Sequence, residues 1–147
     1  MLIDQRSMLD LIASGASLAE SLDAIARLVE SQAPEMHCSI LVTDEAETHL
    51  RHGAAPSLPA EYNAAVDGEP IGPVAGSCGT AAFRRELVVV ADIASDPLWE
   101  NYRDTALRHG LRACWSHPVI SHDDKLLGTL ALYYRQPREP TPRELEL

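Results

Sequence analysis

Cys78 is the residue of this sequence best placed to carry out chemistry. It stands in the run Gly76-Ser77-Cys78-Gly79-Thr80, which predicts a short helix capped by Ser77. The unpaired N–H groups and the dipole at a helix N-terminus favour a thiolate, so Cys78 is the candidate reactive thiol. The alternative is that the run forms a tight turn in which cysteine serves as a small hydrophobic residue.

Cys114 and Ser116 form a second candidate pair, on a strand predicted from Ala113 to Ser121. Side chains alternate along a strand, so these two share one face while Trp115, His117 and Val119 share the other. The small polar pair favours the pocket side of a sheet. The alternative is that both are only small residues beneath a covering helix.

Trp99, Tyr102 and two arginines are candidate ligand contacts near the same region. The two aromatic residues lie three positions apart on a predicted helix, so they can face one way and form an aromatic wall. Arg103 and Arg112 can anchor an anionic ligand, since a guanidinium recognises a carboxylate through two hydrogen bonds. The alternatives are core packing for the aromatic residues and a solvated charge for Arg112.

Metal and disulfide chemistry are not predicted. The three cysteines are widely spaced and form no Cys-x-x-Cys pair. The six histidines show no His-x-His or His-x-x-x-His pattern joined to another donor. We therefore expect no metal site and a reducing compartment.

Composition limits the function classes further. The chain has 147 residues, of which 12 are Lys or Arg and 22 are Asp or Glu, so its formal net charge is −10. This charge has the wrong sign for binding a nucleic acid backbone. Apolar runs such as residues 87–91 are too short to span a bilayer, and the acidic start lacks a secretory signal pattern. We expect a cytoplasmic protein with one core and no membrane insertion by this segment.

Helices and strands must position these side chains, and the sequence predicts an α+β order. A capping box over Ser17-Leu18-Ala19-Glu20 begins the most secure helix, which stops at Pro34. Further predicted elements are a helix from Met8 to Gly15, strands over 38–43 and 48–52, a helix over Ala60 to Val66, a strand over Leu87 to Ala91, a helix from Pro97 to Gly110, and strands over Ala113 to Ser121 and Lys125 to Tyr134.

A motif near the end of the sequence predicts another helix. Thr141-Pro142-Arg143-Glu144 is a second capping box, with proline at the first helical position. The sequence stops three residues later, at Leu147. We expect residues 1–147 to be one domain of a longer multidomain protein, divided where a C-terminal helix begins.

Several phrases together resemble the GAF domain family, over nearly the whole chain. They are Gly76-Ser77-Cys78-Gly79-Thr80-Ala81-Ala82, Val88-Val89-Val90-Ala91-Asp92-Ile93, His109-Gly110-Leu111-Arg112-Ala113-Cys114-Trp115-Ser116-His117-Pro118 and Leu127-Gly128-Thr129-Leu130-Ala131-Leu132-Tyr133. The resemblance implies a central antiparallel sheet of five or six strands. It places the first, second and last helices on one face, and a ligand pocket under short helices and loops on the other.

The resemblance also implies ligand contacts. In bilin-binding relatives the positions matching Cys114 and Ser116 carry small polar residues that touch the chromophore, and Tyr133 falls near another ligand contact. A covalent bilin is disfavoured because the Cys-His attachment pair is absent, and the Asn-Lys-x-x-Phe signature of cyclic-nucleotide-binding relatives is missing too, so the cofactor stays unknown. The expected ligand-binding residues are Cys78, Thr80, Asp92, Trp99, Tyr102, Arg112, Cys114, Ser116 and Tyr133.

Three functions remain open at the level of sequence. GAF domains of this kind usually act as non-catalytic sensory modules, for example in two-component histidine kinases or cyclic-di-GMP turnover enzymes, and often form homodimers that relay ligand state to an output domain. The second is a thiol reductase like the free methionine sulfoxide reductases, with Cys78 and a resolving Cys114, although the further loop cysteines of that branch are absent. The third is a ligand-free dimerisation module, associating through the helix that bears Leu18, Leu22, Ile25 and Val29.

Overall fold

The computed structural model describes residues 17–145, which form one antiparallel sheet with helices on both faces. The strands are β1 (His37–Thr43), β2 (His49–Ala54), β3 (Glu69–Pro70), β4 (Val88–Val90), β5 (Ala113–Ile120) and β6 (Leu126–Tyr134). The helices are α1 (Leu18–Glu30), α2 (Ala60–Val66), α3 (Gly76–Arg84), α4 (Arg103–Arg108) and α5 (Pro142–Leu145), with a 3₁₀ turn at Pro97–Trp99. The order across the sheet is β3-β2-β1-β6-β5-β4. The predicted α+β class with a sheet of five or six antiparallel strands is confirmed.

Both predicted capping boxes begin helices. The Ser17 hydroxyl accepts a hydrogen bond from the backbone N–H of Glu20 (3.2 Å) at the start of α1. At the start of α5, Thr141 and Glu144 exchange bonds of 2.8 Å and 3.2 Å between side chain and backbone. The helix predicted from Met8 to Gly15 lies outside the described residues.

The two faces of the sheet carry separate cores, as the alternation along β5 requires. On the first face, α1 covers a core whose largest members include Trp115 and Tyr134. On the second face, α2, α3, the 3₁₀ turn and α4 cover a core that includes Cys114. Ser116 is fully buried two positions along the strand from Cys114, so the predicted division of side chains between the two faces is confirmed.

The apolar face of helix α1 packs against the first face of the sheet. Val29 is fully buried, and Leu22 and Ile25 pack against the first core. Only Leu18 of the predicted association surface is largely exposed, at 67%. Three of the four residues therefore contact the sheet, and association through this helix stays a prediction that would use its exposed residues.

The helix predicted from Pro97 to Gly110 is two separate elements. The Asp96 carboxylate caps the first turn by accepting from Leu98 N–H (3.0 Å), but the turn ends at Trp99. The guanidinium of Arg103 donates to the carbonyls of Ile93 (3.1 Å) and Asp96 (2.8 Å), which fixes the chain where α4 begins. Gly110 does end α4 in a left-handed conformation (φ 77°), as predicted.

Arg138 contacts the first face of the sheet and so holds the segment after β6 against it. Its guanidinium carbon lies 4.9 Å from the centre of the Trp115 ring and 4.6 Å from that of Tyr134. It also forms an ion pair with Glu144 of α5 (3.1 Å), and its carbonyl accepts from the Trp115 indole N–H (2.9 Å). Helix α5 is thereby placed beside the α1 face, where the sequence predicted the last helix.

Within residues 17–145, no helix has the length and apolar character needed to cross a membrane.

Candidate functional site

Helix α3 forms the centre of the second face, because the seven residues from Gly76 to Ala82 are all buried. Its close approach to β3 depends on Gly79. A Cβ at this position would lie 2.8 Å from the Pro70 carbonyl oxygen and 2.5 Å from the Ala75 Cβ. Only glycine leaves room for this contact between helix and strand.

Ser77 connects α3 to β5 and to the 3₁₀ turn. Its hydroxyl donates to the carbonyl oxygen of Cys114 (2.8 Å) and accepts from the indole N–H of Trp99 (3.1 Å). The prediction that Ser77 caps the helix is wrong, because the cap position is Ala75, two residues earlier, and it has no side-chain cap. The hydroxyl of Thr80, another expected site residue, instead accepts from Ala75 N–H (3.0 Å).

Cys78 lies in the first turn of α3 and faces a group of small polar side chains on the sheet. Hydrogen bonding from the neighbouring Cys114 thiol lowers the pKa of Cys78, burial opposes this shift, and the hydroxyls of Ser116 and Thr129 support it. Burial, reinforced by Cys78, raises the pKa of Cys114 well above its ordinary value. The structure therefore brings the expected residues Cys78, Cys114 and Ser116 together. Both cysteines are free thiols.

The hydroxyls of Ser116 and Thr129 are fully buried beside the Cys78 thiol. Neither makes a hydrogen bond of ordinary geometry with any residue between 17 and 145, so their contact with the thiol is a loose one. An unpartnered buried hydroxyl typically costs about 1–3 kcal/mol. Thr129 was not among the sequence-predicted residues. The alternation along β6 could have identified it. Thr129 lies two residues before Ala131, which pairs with Ser116, so it lies on the same face of the sheet as Ser116 and Cys114.

Aromatic side chains fill the space beside the thiols. The hydroxyls of Tyr62 and Tyr133 are hydrogen-bonded to each other (2.8 Å), and their ring centres lie 5.6 Å apart. The Trp99 ring lies edge-on to Tyr133 at 6.3 Å. Burial raises the pKa of both tyrosines well above the ordinary value, so both stay neutral. Trp99 ends the 3₁₀ turn and belongs to the second core, and Tyr102, at the cap position of α4, packs against that core.

Asp92 and Arg112 are placed at the rim. They form an ion pair (3.1 Å) in which each side chain remains about one-third exposed. Hydrogen bonding by Arg112 holds the pKa of Asp92 below its ordinary value. Arg103 directs its donors to backbone carbonyls, so both arginines expected to anchor an anion already contact groups of this chain.

Glu69 is a member of this face that the sequence analysis missed. It pairs with Leu50 across β2 and β3, and Leu50 is fully buried in the second core. Burial raises the pKa of the Glu69 carboxyl well above its ordinary value, with a further contribution from Cys78. A strand of two residues carries no detectable periodicity, so only the pairing with β2 reveals where the side chain is directed.

Among residues 17–145, no three His, Cys, Asp or Glu side chains gather as metal ligands. A groove of about 340 Å³ lies on the opposite, α1 face of the sheet. Trp115, Tyr134 and the start of α5 contribute to its walls. This groove is separate from the Cys78 cluster.

A family model described as "GAF domain" matches residues 15–147. The chain is 36% identical over 146 residues to the "Methyl sulfide methyltransferase-associated sensor" of Methanosarcina acetivorans, covering 99% of this chain and 15% of that protein. The fold matches the GAF domain of a phosphoenolpyruvate-protein phosphotransferase from Coxiella burnetii, with TM-score 0.71, 17% identity, and coverage of 95% of this chain and 80% of the other. It also matches free methionine-R-sulfoxide reductase from Neisseria meningitidis, with TM-score 0.72, 17% identity, and coverage of 94% and 75%.

Proposed function

Because the chain belongs to the GAF domain family, we propose that it is a sensory domain that binds a small molecule and relays its bound state to an output domain. The relative from Methanosarcina acetivorans is named as a sensor, and this chain spans about one-seventh of its length. A domain of this size within a longer protein is suited to reporting a ligand to other domains.

The buried polar groups beneath α3 are the observation that carries this proposal. Ser116 and Thr129 present hydroxyls without ordinary hydrogen bonds, next to the Cys78 thiol and among apolar and aromatic side chains. Such groups are costly to bury, and a bound molecule with polar atoms offsets that cost by pairing with them. Few polar groups in an apolar surround are typical of small-molecule sites.

Strands β5 and β6 connect this site to the segment that leads to α5. On β5, Cys114 faces the site while the next residue, Trp115, contacts Arg138 on the other face. On β6, Tyr133 and Tyr134 are divided in the same way. A ligand that moves either strand therefore also moves the aromatic pair that holds the segment leading to α5.

Ligand-induced stabilisation tests the proposal. We expect at least one compound in a metabolite library to raise the melting temperature of the wild type, because a ligand that prefers the folded state increases apparent stability. The same compound should have a smaller effect on Ser116→Ala and an unchanged effect on Ser95→Ala, whose serine is exposed. Native mass spectrometry against the denatured mass would then identify a retained ligand. No stabilising compound in the library would contradict the proposal.

A thiol reductase is the second candidate, favoured by the adjacent Cys78 and Cys114 thiols and by the shared fold with a methionine sulfoxide reductase. We expect no consumption of free methionine sulfoxide in the presence of dithiothreitol, because both thiols are buried and the sensor proposal needs no turnover. Consumption by the wild type that Cys78→Ser abolishes would replace the sensor proposal with the enzyme.

We also propose a cytoplasmic location and a homodimer for the parent protein. The exposed Leu18 at the start of α1 is compatible with association along this helix, although Val29 is not available for it. Sedimentation velocity on the wild type and on Leu18→Glu would measure the subunit number directly.

A further inference from the structure

Three polar side chains meet where α1 ends and β1 begins. The Ser57 hydroxyl donates a hydrogen bond to the carboxylate of Glu30, the last residue of α1. The Nδ1 atom of His37, the first residue of β1, lies 2.7 Å from the same hydroxyl oxygen. The Glu30 carboxylate also accepts from the backbone N–H of Cys38 (2.9 Å). We call Glu30, Ser57 and His37 the clasp.

The clasp joins helices that cover opposite faces of the sheet. Ser57 lies in the loop between β2 and α2, next to Leu58, which is buried in the second core, and two residues before Pro59, the cap position of α2. The side-chain amide of Asn63 in α2 donates to the carbonyl oxygen of Leu58 (3.5 Å), which attaches this loop to the helix. Since Glu30 belongs to α1 on the first face, the Ser57–Glu30 bond connects α1 to α2.

The number of protons in the clasp determines which nitrogen of His37 is protonated. A serine hydroxyl has one proton to donate, and a carboxylate has none. Because the Ser57 proton is directed to Glu30, the contact with His37 requires a proton on Nδ1. In the other neutral tautomer Nδ1 is an acceptor, so Ser57 donates either to His37 or to Glu30 and the second contact is lost. An imidazolium carries a proton on both ring nitrogens, so it leaves the Ser57 proton to Glu30.

The charged groups around His37 come from three segments of the chain. Burial, and then the positive charge of Arg135 after β6, lower the pKa of His37, and the negative charge of Glu30 on α1 opposes this shift. Before β1, Glu35 lines a groove of about 470 Å³ together with His37, Arg135 and Arg138. His37 is therefore neutral at about pH 7, and its second ring proton binds with a midpoint below its ordinary value of about 6.5.

We propose that the clasp is a pH-sensitive link between α1 and α2. In acid, the protonated His37 ring holds the Ser57 proton on Glu30, and the bond from the ring to Ser57 is charge-assisted and therefore stronger. At neutral pH, His37 exchanges between its two tautomers, and the Ser57–Glu30 bond is released for part of the time. The inference goes beyond ligand detection, and its test needs no ligand, so its failure would leave the sensory proposal standing.

Hydrogen exchange at the start of α2 tests the link. The amides of Leu58 and Asn63 are suitable probes, because they donate to the carbonyl oxygens of Ala55 (3.3 Å) and Pro59 (3.1 Å). We expect the ratio of their protection factors in the wild type to those in Ser57→Ala to rise at least about threefold between about pH 7.5 and about pH 5.5. The ratio removes the effect of other titrating groups, which the two proteins share. An unchanged ratio would overturn the inference.

Matched histidine variants test which residue senses the pH. His37→Asn places a donor amide near the position of Nδ1 and does not titrate, so its protection factors relative to Ser57→Ala should not change with pH. His122→Asn replaces an exposed turn residue and should keep the response of the wild type. Circular dichroism would establish that each variant is folded. A response that persists in His37→Asn, or is lost in His122→Asn, would contradict the assignment.

Nitrogen-15 NMR of the wild type gives a readout that needs no variant. At about pH 7.5, the neutral ring of His37 should carry its proton on Nδ1 in a measurable fraction of molecules, because only that tautomer satisfies both contacts of Ser57. A neutral His37 ring with its proton entirely on Nε2 would exclude the clasp.

Discussion

At the scale of single residues, the buried hydroxyls of the second face cost stability, and the proposed ligand site gives them a role. Thr129 is fully buried, yet its hydroxyl lacks an ordinary hydrogen bond within the described chain. A protein selected only for stability would place valine here, since valine has a similar shape without the polar atom. The retained hydroxyl is therefore consistent with a site that meets its ligand at this position.

Thr129→Val tests this cost. We expect the variant to unfold with a free energy about 1 kcal/mol higher than the wild type, because it removes an unpartnered polar group. In a chain of this size, the melting temperature should rise by roughly 3 °C. Urea and thermal unfolding would measure both quantities. Thr105→Val, on the half-buried side of α4, is the control and should change little. A destabilised Thr129→Val would indicate that the hydroxyl has a partner in solution.

Residue positions on long strands were predictable, and those on short elements were not. The period of two along β5 correctly assigned Cys114, Trp115 and Ser116 to their faces, because eight consecutive residues follow it. Glu69 escaped prediction because its strand has two residues and its direction is set by pairing with β2. Tyr62 escaped because its role depends on Tyr133, which is 71 positions away in sequence.

At the scale of elements, capping boxes correctly predicted where helices begin, because the start of a helix depends on local hydrogen bonds. The boxes at Ser17 and Thr141 both begin helices, because their hydrogen bonds involve only neighbouring residues. The Asp96 cap also forms, but the following helix breaks after Trp99. That break is held by Arg103 and the indole of Trp99, which bond to Ile93 and to Ser77, so tertiary contacts override the local signal.

The contact between α3 and β3 gives a prediction about packing. Gly79→Ala should destabilise the protein by about 1–3 kcal/mol, because its Cβ would overlap the Pro70 carbonyl oxygen at 2.8 Å. Gly72→Ala is a matched control, since a Cβ there meets nothing within 4 Å. Chemical unfolding of both variants would measure the difference. Equal stability of the two variants would show that α3 moves away from β3 without cost.

At the scale of the whole molecule, one sheet serves two cores, and Arg138 connects the far core to α5. Arg138→Ala removes the contacts with Trp115 and Tyr134 and the ion pair with Glu144. We expect a loss of about 1–2 kcal/mol of stability, because two cation–π contacts at a partly buried site are removed. Hydrogen exchange at residues 141–145 should also become faster, since α5 loses its attachment. Arg108→Ala, an exposed residue of α4, should alter neither quantity.

The arrangement of Trp115 and Tyr134 back to back with Cys114 and Tyr133 has a consequence for measured affinities. If ligand occupancy alters the position of α5, then thermodynamic reciprocity requires that whatever holds α5 alters the affinity for the ligand by the same factor. If this domain works within a longer receptor, as proposed, the output side would therefore set the detection threshold, and the dissociation constant of this domain alone would differ from that of the intact receptor.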